Sequence, residues 1–302
     1  MIELPKVSLG LPVYNGEKFI AATLNSIVNQ TYTNFDLIIS DNCSTDATKE
    51  ICMSFSEKDS RITFVENEKN LGAAGNFNKV FKISKGKYFK WATHDDVLKP
   101  EFLERCVTIL EEFNDVNLCY SKRIIINEKD EELEFVSDGL FLNQNETVDR
   151  YRRFLKRFRY TTKWAIPVLG VFRKSELEKT RLLGAYPAAD TMILCEIALR
   201  GKLYEIDEYL FMSRKHEQMS NKANPTANKL AVFYDPKNKG KVQLPRWKWL
   251  FENKKSIKIA NLNLSTKIRC YASLLLWSIF RLKSLFIDLI RAIPQVYYLK
   301  VK

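Results

Sequence analysis

The chain has 302 residues, 46% hydrophobic and 28% charged, enough for one or two domains around a large buried core and too apolar for a disordered chain. Ten glycines and nine prolines exclude collagen-like and low-complexity classes. The net charge of +12 is localised: residues 1–234 carry 33 basic and 33 acidic side chains, residues 235–302 carry 15 and 3. Such a basic end points to nucleic acid or to an anionic membrane surface.

Six cysteines, at 43, 52, 106, 119, 195 and 270, form no CxxC pair. They are expected as reduced, mostly buried thiols of a cytosolic protein. The opening MIELPKVSLGLPVYNGEKF has no basic segment followed by an apolar run, so no signal peptide is expected.

In chain order, Val7 to Leu11 reads as a buried strand, followed by the loop Pro12 to Gly16. A helix is expected from Glu17 to Asn29, with Ile20, Leu24, Ile27 and Val28 on one face. Phe35 to Ser40 is a second strand ending in the polar cluster Asp41 to Asp46, and a helix carrying Ile51 and Phe55 follows. Arg61 to Val65 is a third strand, residues 67–75 a loop, and Asn76 to Ser84 a helix. Tyr88 to Ala92 is a fourth strand ending at Thr93-His94-Asp95-Asp96, and proline suits the first turn of a helix near Pro100.

This alternation implies a parallel sheet with right-handed crossovers. Ligands in such sheets bind beyond the carboxyl ends of the strands, where the polar clusters after strands one, two and four converge. Farther along, residues 118–121, 123–127 and 168–173 read as strands, and 149–160 and 190–200 as helices. The stretch RYRRFLKRFRY, 150–160, holds six cations, a solvated helix face or a contact for an acceptor lipid's phosphate.

Residues 221–245 are polar and proline-bearing, as in a linker. From Arg246 to Lys302 the apolar run 270–280 is broken by Arg281 and Lys283, short of the about 20 residues a spanning helix needs. Tryptophans and tyrosines interleaved with Lys and Arg suit helices lying in a membrane interface, or an amphipathic cap on the core. No nucleic-acid recognition motif accompanies the charge.

Neither GxxxxGK[ST] nor GxGxxG follows the first strand, which excludes a P-loop. The strings present are LPVYNGEKF, SDNCSTDAT and FKWATHDDVLKPEFL. In order and spacing they resemble the P-x-Y-N, D-D-G-S-T-D and D-x-D-D-then-proline strings of the family 2 inverting glycosyltransferases. That resemblance implies a GT-A α/β fold with a Rossmann-like, mostly parallel sheet. It also implies transfer of a sugar from a nucleotide-diphosphate donor, a UDP-sugar, with Mn2+ or Mg2+ as cofactor.

The same resemblance assigns roles. Asp95 takes the last position of the D-x-D string as metal ligand, and Thr93 stands where the first acid is usual. The ribose or a second metal contact is left to His94, Asp96 or water; Asp96 is otherwise a cap for the helix near Pro100. Asp41 meets the base edge or holds its loop, a part also open to Asp46, and Cys43 replaces a usual glycine. Pro12, Tyr14 and Glu17 border the nucleotide, Tyr14 stacking on the base or packing beneath the loop. Asn70 and Gly72 belong to a loop below the nucleotide, where Gly75 replaces a usual basic residue and leaves Lys69 to neutralise the diphosphate.

An inverting transfer needs a base for the acceptor hydroxyl. Asp190, in AYPAADTMILCEIALRGK with Gly201 eleven residues on, takes that role or serves as an N-cap; Ala189 replaces a usual glutamate. Glu196 is expected on a solvated face. His216, in FMSRKHEQMS, matches a Y-R-x-H string whose histidine approaches the metal or diphosphate; packing is the other reading, and Arg214 and Lys215 are open to phosphate.

The expected organisation is a catalytic domain over 1–220, with a nucleotide half 1–120 and an acceptor half 121–220. A linker, 221–245, and a membrane-associating tail, 246–302, follow. The acceptor would be a glycan or lipid-linked hydroxyl in bacterial surface polysaccharide assembly, and the location cytoplasmic, peripheral on the inner face of the membrane. Two other readings are a non-catalytic membrane-surface scaffold with a degenerate pocket and a nucleotidyltransferase. The latter would carry a glycine-rich basic loop where LPVYNGEKF stands.

Overall fold

A computed structural model describes residues 6–160 and 166–300. The first half alternates β1 (Val7–Val13), α1 (Ile20–Val28), β2 (Phe35–Asp41), α2 (Thr48–Lys58), β3 (Ile62–Glu66), α3 (Gly72–Ile83) and β4 (Tyr88–Trp91). Then come β5 (Val97–Leu98), α4 (Phe102–Glu112), β6 (Val116–Ile126), β7 (Glu132–Val136), α5 (Thr147–Tyr160), β8 (Val171–Arg173), α6 (Lys174–Leu177), α7 (Ala189–Ala198) and β9 (Lys202–Arg214). The C-terminal part is helical: α8 (Ser220–Ala223), α9 (Ala227–Tyr234), α10 (Pro245–Ile259), α11 (Leu264–Phe280) and α12 (Leu282–Lys300).

All described strands join one sheet in the order β3-β2-β1-β4-β8-β6-β9-β5, with β7 beside β6. The pairs among β1 to β4 are parallel, as the alternation implies. β8 runs antiparallel to both β4 and β6, so β6 and its parallel partner β9 regain the direction of β1. The carboxyl ends of β1, β2, β4 and β9 therefore share one edge. The two strands expected over 118–127 are one strand, and its register shifts against β9 around Lys122.

β1 is buried on both faces, which explains its continuous apolar run. Pro12 sits inside it without loss of a ladder bond. Alternate residues aim their backbone groups at β2 and β4, Gly10 accepts from Ala92 on the β4 side, and β4 pairs with β1 no farther than Gly10. In α1, Ile20, Leu24 and Ile27 fill the core face at helical spacing. α3 starts at Gly72, earlier than the expected Asn76.

Residues 221–245, expected as a linker, hold α9, which packs on α3. The segment after Arg246, expected as a tail, begins with α10 packed on α7; α11 lies on α5 and α12 on α10. Trp249, Ile257, Cys270 and Leu274 belong to the same apolar cluster as the strands. Removing such side chains costs about 2–5 kcal/mol each, so this region is a layer of the fold. Its outer face differs: Leu275, Ile279, Leu282, Phe286 and Ile293 are each more than half exposed.

Within α5 the basic stretch divides. Arg150 is buried and donates to the Ala198 and Gln144 carbonyls, while Tyr151 and Phe154 face the core. The side chains at 158–160 lie outside those described. All six cysteines are free thiols, five buried and Cys43 half-buried.

Candidate active site

The loops after β1 and β2 are stitched together by short polar side chains. Ser44 Oγ accepts from the Asn15 N–H, Asn15 Oδ1 accepts from the Thr45 N–H, and Thr48 Oγ1 accepts from the Gly16 N–H. Glu17 bonds twice to the segment Asp46-Ala47: its Oε2 accepts from the Ala47 N–H, and its N–H donates to Asp46 Oδ2. Glu17 thus serves as an anchor between two loops at the start of α2. Pro12 is buried, whereas Tyr14 is 46% exposed.

Asp41 is fully buried, and its carboxylate accepts from the Ser44 N–H and hydroxyl. Its side chain holds the loop, which was the second reading of this residue, and Asp46 does the same beside it. Cys43 adopts φ 65°, the left-handed region that glycine enters freely, so the usual glycine has a conformational reason. Its thiol donates to the Asn67 carbonyl at 2.9 Å.

Beneath these loops lies a buried amide network. Asn42 Oδ1 accepts from Asn67 Nδ2 and from the Leu71 N–H, and Asn42 Nδ2 donates to Asn70 Oδ1. Asn76 Oδ1 accepts from Ser40 and Asn67, and Lys79 Nζ reaches Asn67. Asn70 also takes the Gly72 N–H, which fixes the entry to α3. Lys69 is exposed.

The acidic cluster after β4 meets the end of β9. His216 Nε2 lies 2.8 Å from Asp95 Oδ2, and His216 Nδ1 is buried with no hydrogen-bond partner. The ring packs on Phe19 at 4.9 Å between centroids. Burial raises the Asp95 carboxyl, but the His216 hydrogen bond and the nearby imidazoles outweigh it and hold the group below the usual range. Burial and then the Asp95 charge push Asp96 upward. Thr93 Oγ1 and the Arg214 N–H both donate to Asp96. Thr93 thus places a hydrogen-bond donor on Asp96 where an acid would add a third carboxylate. Asp96 does not cap α4, whose N-terminus has no side-chain cap.

Arg214, expected beside phosphate, is buried and held from four sides. It donates to the Asp95 carbonyl at 2.9 Å and the Asn127 carbonyl at 3.0 Å, pairs with Asp130 at 2.6 Å, and lies 4.8 Å over the Phe19 ring. It fixes the backbone that presents Asp95. His94 fills the space above Gly16, where an added Cβ would come within 2.7 Å of the ring.

Asp190 lies in the first turn of α7, one residue inside it, after Ala188 in the left-handed region at φ 62°. Asp190 Oδ1 accepts from the Thr191 N–H at 2.8 Å, so the carboxylate does not cap the helix as an N-cap does. Burial pushes its pKa up and the Thr191 bonds pull it back only in part. Gly201 passes so close to Asn117 that a side chain there would collide with its amide. Glu196, expected in solvent, is 2% exposed and accepts from Arg181 Nε at 2.6 Å. Arg181 also pairs with the buried Glu252 of α10 and donates to Ser256 Oγ at 2.7 Å. This ion-pair cluster ties α7 to α10. The sequence signal for α9 and α10 was available: Thr226 as N-cap, then Leu230 and Tyr234 four apart, with Pro245 opening the next helix.

Among the described residues no group of three or more His, Cys, Asp and Glu could hold a metal ion. Asp95 and His216 are two ligands, and Mg2+ or Mn2+ at a diphosphate is ordinarily held by one or two protein groups, substrate oxygens and water. Asp95 Oδ2 and His216 Nε2, 2.8 Å apart, stand at the spacing of two neighbouring ligands on one ion.

A family model described as glycosyl transferase family 2 matches residues 8–178. An uncharacterized glycosyltransferase of Haemophilus influenzae is 36% identical over 130 residues, 43% of this chain and 40% of that protein. The putative teichuronic acid biosynthesis glycosyltransferase TuaG of Bacillus subtilis is 35% identical over 108 residues, 36% of this chain and 43% of its own length. The chain spans about two-fifths of the length of the curated relatives it matches. Among solved structures, S. aureus TarS 1–349 in complex with UDP-GlcNAc is similar with a TM-score of 0.55 at 18% identity, over 84% of this chain and 81% of that one. The mannosyltransferase PcManGT from Pyrobaculum calidifontis, with GDP-Man and Mn2+, gives 0.52 at 16% identity, over 99% and 84%. At these identities the likeness is one of fold.

Proposed function

The chain belongs to glycosyl transferase family 2, and on that premise we propose that it transfers a sugar, with inversion and with a divalent cation, from a UDP-sugar to a hydroxyl of a glycan or lipid-linked acceptor. The observation that carries this reading is the Asp95–His216 pair at the shared carboxyl edge of the sheet, locked by Arg214. TarS, a structural neighbour, is solved in complex with UDP-GlcNAc, which supports the donor class, and the description of TuaG as a putative teichuronic acid biosynthesis glycosyltransferase supports a surface-glycan role.

In this mechanism the exposed Tyr14 ring faces the base, and the loop from Asn70 to Gly72 backs the nucleotide. Asp95 and His216 would hold the cation, which when bound would supply positive charge to the diphosphate leaving group. Asp190 takes the proton of the acceptor hydroxyl as that oxygen bonds to the anomeric carbon. The bond from that carbon to the diphosphate breaks, and the nucleoside diphosphate leaves with its electron pair. Attack opposite the leaving group gives a β product from an α donor.

Calorimetry with UDP, GDP and their sugars tests the donor and the metal together. UDP should bind at least about tenfold more tightly with Mn2+ or Mg2+ than with EDTA, a gain of about 1.4 kcal/mol, and Asp95→Asn should lose that gain. Folded protein that binds no nucleotide, or binds UDP equally well in EDTA, overturns the reading.

We also propose that the enzyme works at an anionic membrane through the outer face of α11 and α12. No described helix is long and apolar enough to cross a membrane. Leu275 and Phe286 are 62% and 63% exposed on helices whose one acid, Asp288, is buried against Arg246. Apolar side chains beside lysine and arginine fit an anionic lipid interface. Truncation of α11 and α12 would take Cys270 and Leu274 out of the apolar cluster and uncover α5 and α10, so substitution is the cleaner test. Leu275→Glu with Phe286→Glu should release the protein from phosphatidylglycerol vesicles in flotation while leaving UDP affinity unchanged. Flotation equal to the wild type would sink the proposal, and so would a dimer that the double variant dissolves, because a second copy would then cover the face.

A further inference from the structure

Two parts of the site that are far apart in sequence are joined by a segment with no assigned role. Gly72, at the entry to α3, has φ 72°. A Cβ there would lie 2.7 Å from the Tyr234 carbonyl oxygen and 2.8 Å from Pro236 Cδ. The backbone at the end of α9 therefore lies directly on the donor loop. Four residues after Tyr234, Asn238 Nδ2 donates to the Ala185 carbonyl at 2.8 Å and to the Ala231 carbonyl at 2.9 Å. Ala185 opens the loop that leads to Asp190, and the same loop receives the Trp249 indole N–H at the Pro187 carbonyl. Tyr234 itself packs against the apolar core, and burial, followed by the Asp190 charge, pushes its phenol far above its ordinary range.

We infer that residues 234–238 form a strap that sets the position of the Asp190 loop relative to the donor loop, with Tyr234 and Asn238 as positioning residues. This inference rests on the proposed role of Asp190. The physical need is clear. The acceptor oxygen must stand in line with the anomeric carbon and within hydrogen-bond reach of the base, and a displacement of about 1 Å costs about 10²-fold in rate. Asp190 follows a non-glycine residue in the left-handed region, a conformation that persists only where its surroundings over-determine it. The Arg181 cluster holds the body of α7 from the other side, so the strap acts on the loop and the first turn and leaves the helix in place.

The test is Asn238→Ala combined with Tyr234→Phe in the full chain, with three readouts. UDP affinity measured with Mn2+ should stay within about threefold of the wild type. The kcat for hydrolysis of UDP-GlcNAc or another UDP-sugar the wild type turns over should fall by about 10- to 100-fold. Amides of residues 185–190 should exchange faster, with those of β1 and β2 unchanged. Wild-type exchange at 185–190 overturns the strap whatever the activity. Unchanged kcat overturns its catalytic role, and parallel loss of kcat, UDP affinity and global protection reduces it to general stability. A wild type that hydrolyses no UDP-sugar and binds no UDP overturns the functional reading itself, while the exchange result still stands as a test of the strap.

Discussion

Asp190→Asn is expected to lower transfer by about 10²- to 10⁴-fold while UDP affinity in the presence of Mn2+ changes by less than about twofold. The amide keeps the shape of the carboxylate and can still accept from the Thr191 N–H, so α7 has no reason to move. It cannot take a proton from the acceptor. The pH profile gives an independent readout. Burial raises the Asp190 pKa, and the base works only when ionised. Activity is therefore full above the raised pKa and is lost as pH falls through it, which places the acid limb of kcat/KM above the usual carboxylate range. The residual activity of Asp190→Asn should lack that limb. Near wild-type transfer in the variant would remove Asp190 from the reaction.

Arg181→Ala is expected to lower folding stability by about 3–5 kcal/mol, read as a shift of the urea midpoint at constant slope. The substitution leaves Glu196, 2% exposed, without its counter-ion; its remaining partners are the Ser256 hydroxyl at 3.0 Å and the backbone N–H of residue 181 at 2.9 Å. Glu252 is less affected, because Lys248 and Lys255 also pair with it. The cost comes from a buried charge left without its counter-ion, which yields a second expectation. Arg181→Met combined with Glu196→Leu should lose less stability than Arg181→Ala alone, since charge and partner leave together. A double variant as unstable as the sum of its parts would mean that packing, and not charge, carries the junction between α7 and α10.

Much of the donor half was legible because its signals are local. β1, β2 and β4 are short apolar runs that end in polar clusters, and the parallel order follows from the alternation with helices. The pairing of Asp95 with His216 was legible only as far as a motif brought both toward one diphosphate. That they stand 2.8 Å apart depends on β9 running parallel to β6, itself two strands from β4. Glu196 was misjudged because helical spacing alone does not reveal which helix will cover a face. A residue nearly two turns from Asp190 looks solvated until α10 is laid over it with Glu252 and Ser256.

The sequence by itself determined the class of sheet, the family, the acidic cluster after β4, the aspartate at the start of α7 and the basic, aromatic C-terminal region. Each is written in contiguous residues with a fixed spacing. Only the tertiary structure decided that Asp41 is turned inward to its own loop, that Arg214 braces Asp95, and that α9 packs on α3 and α10 on α7. Those outcomes depend on which distant groups reach a buried polar atom first, and a buried carboxylate or guanidinium must be satisfied by whatever the fold brings within about 3 Å.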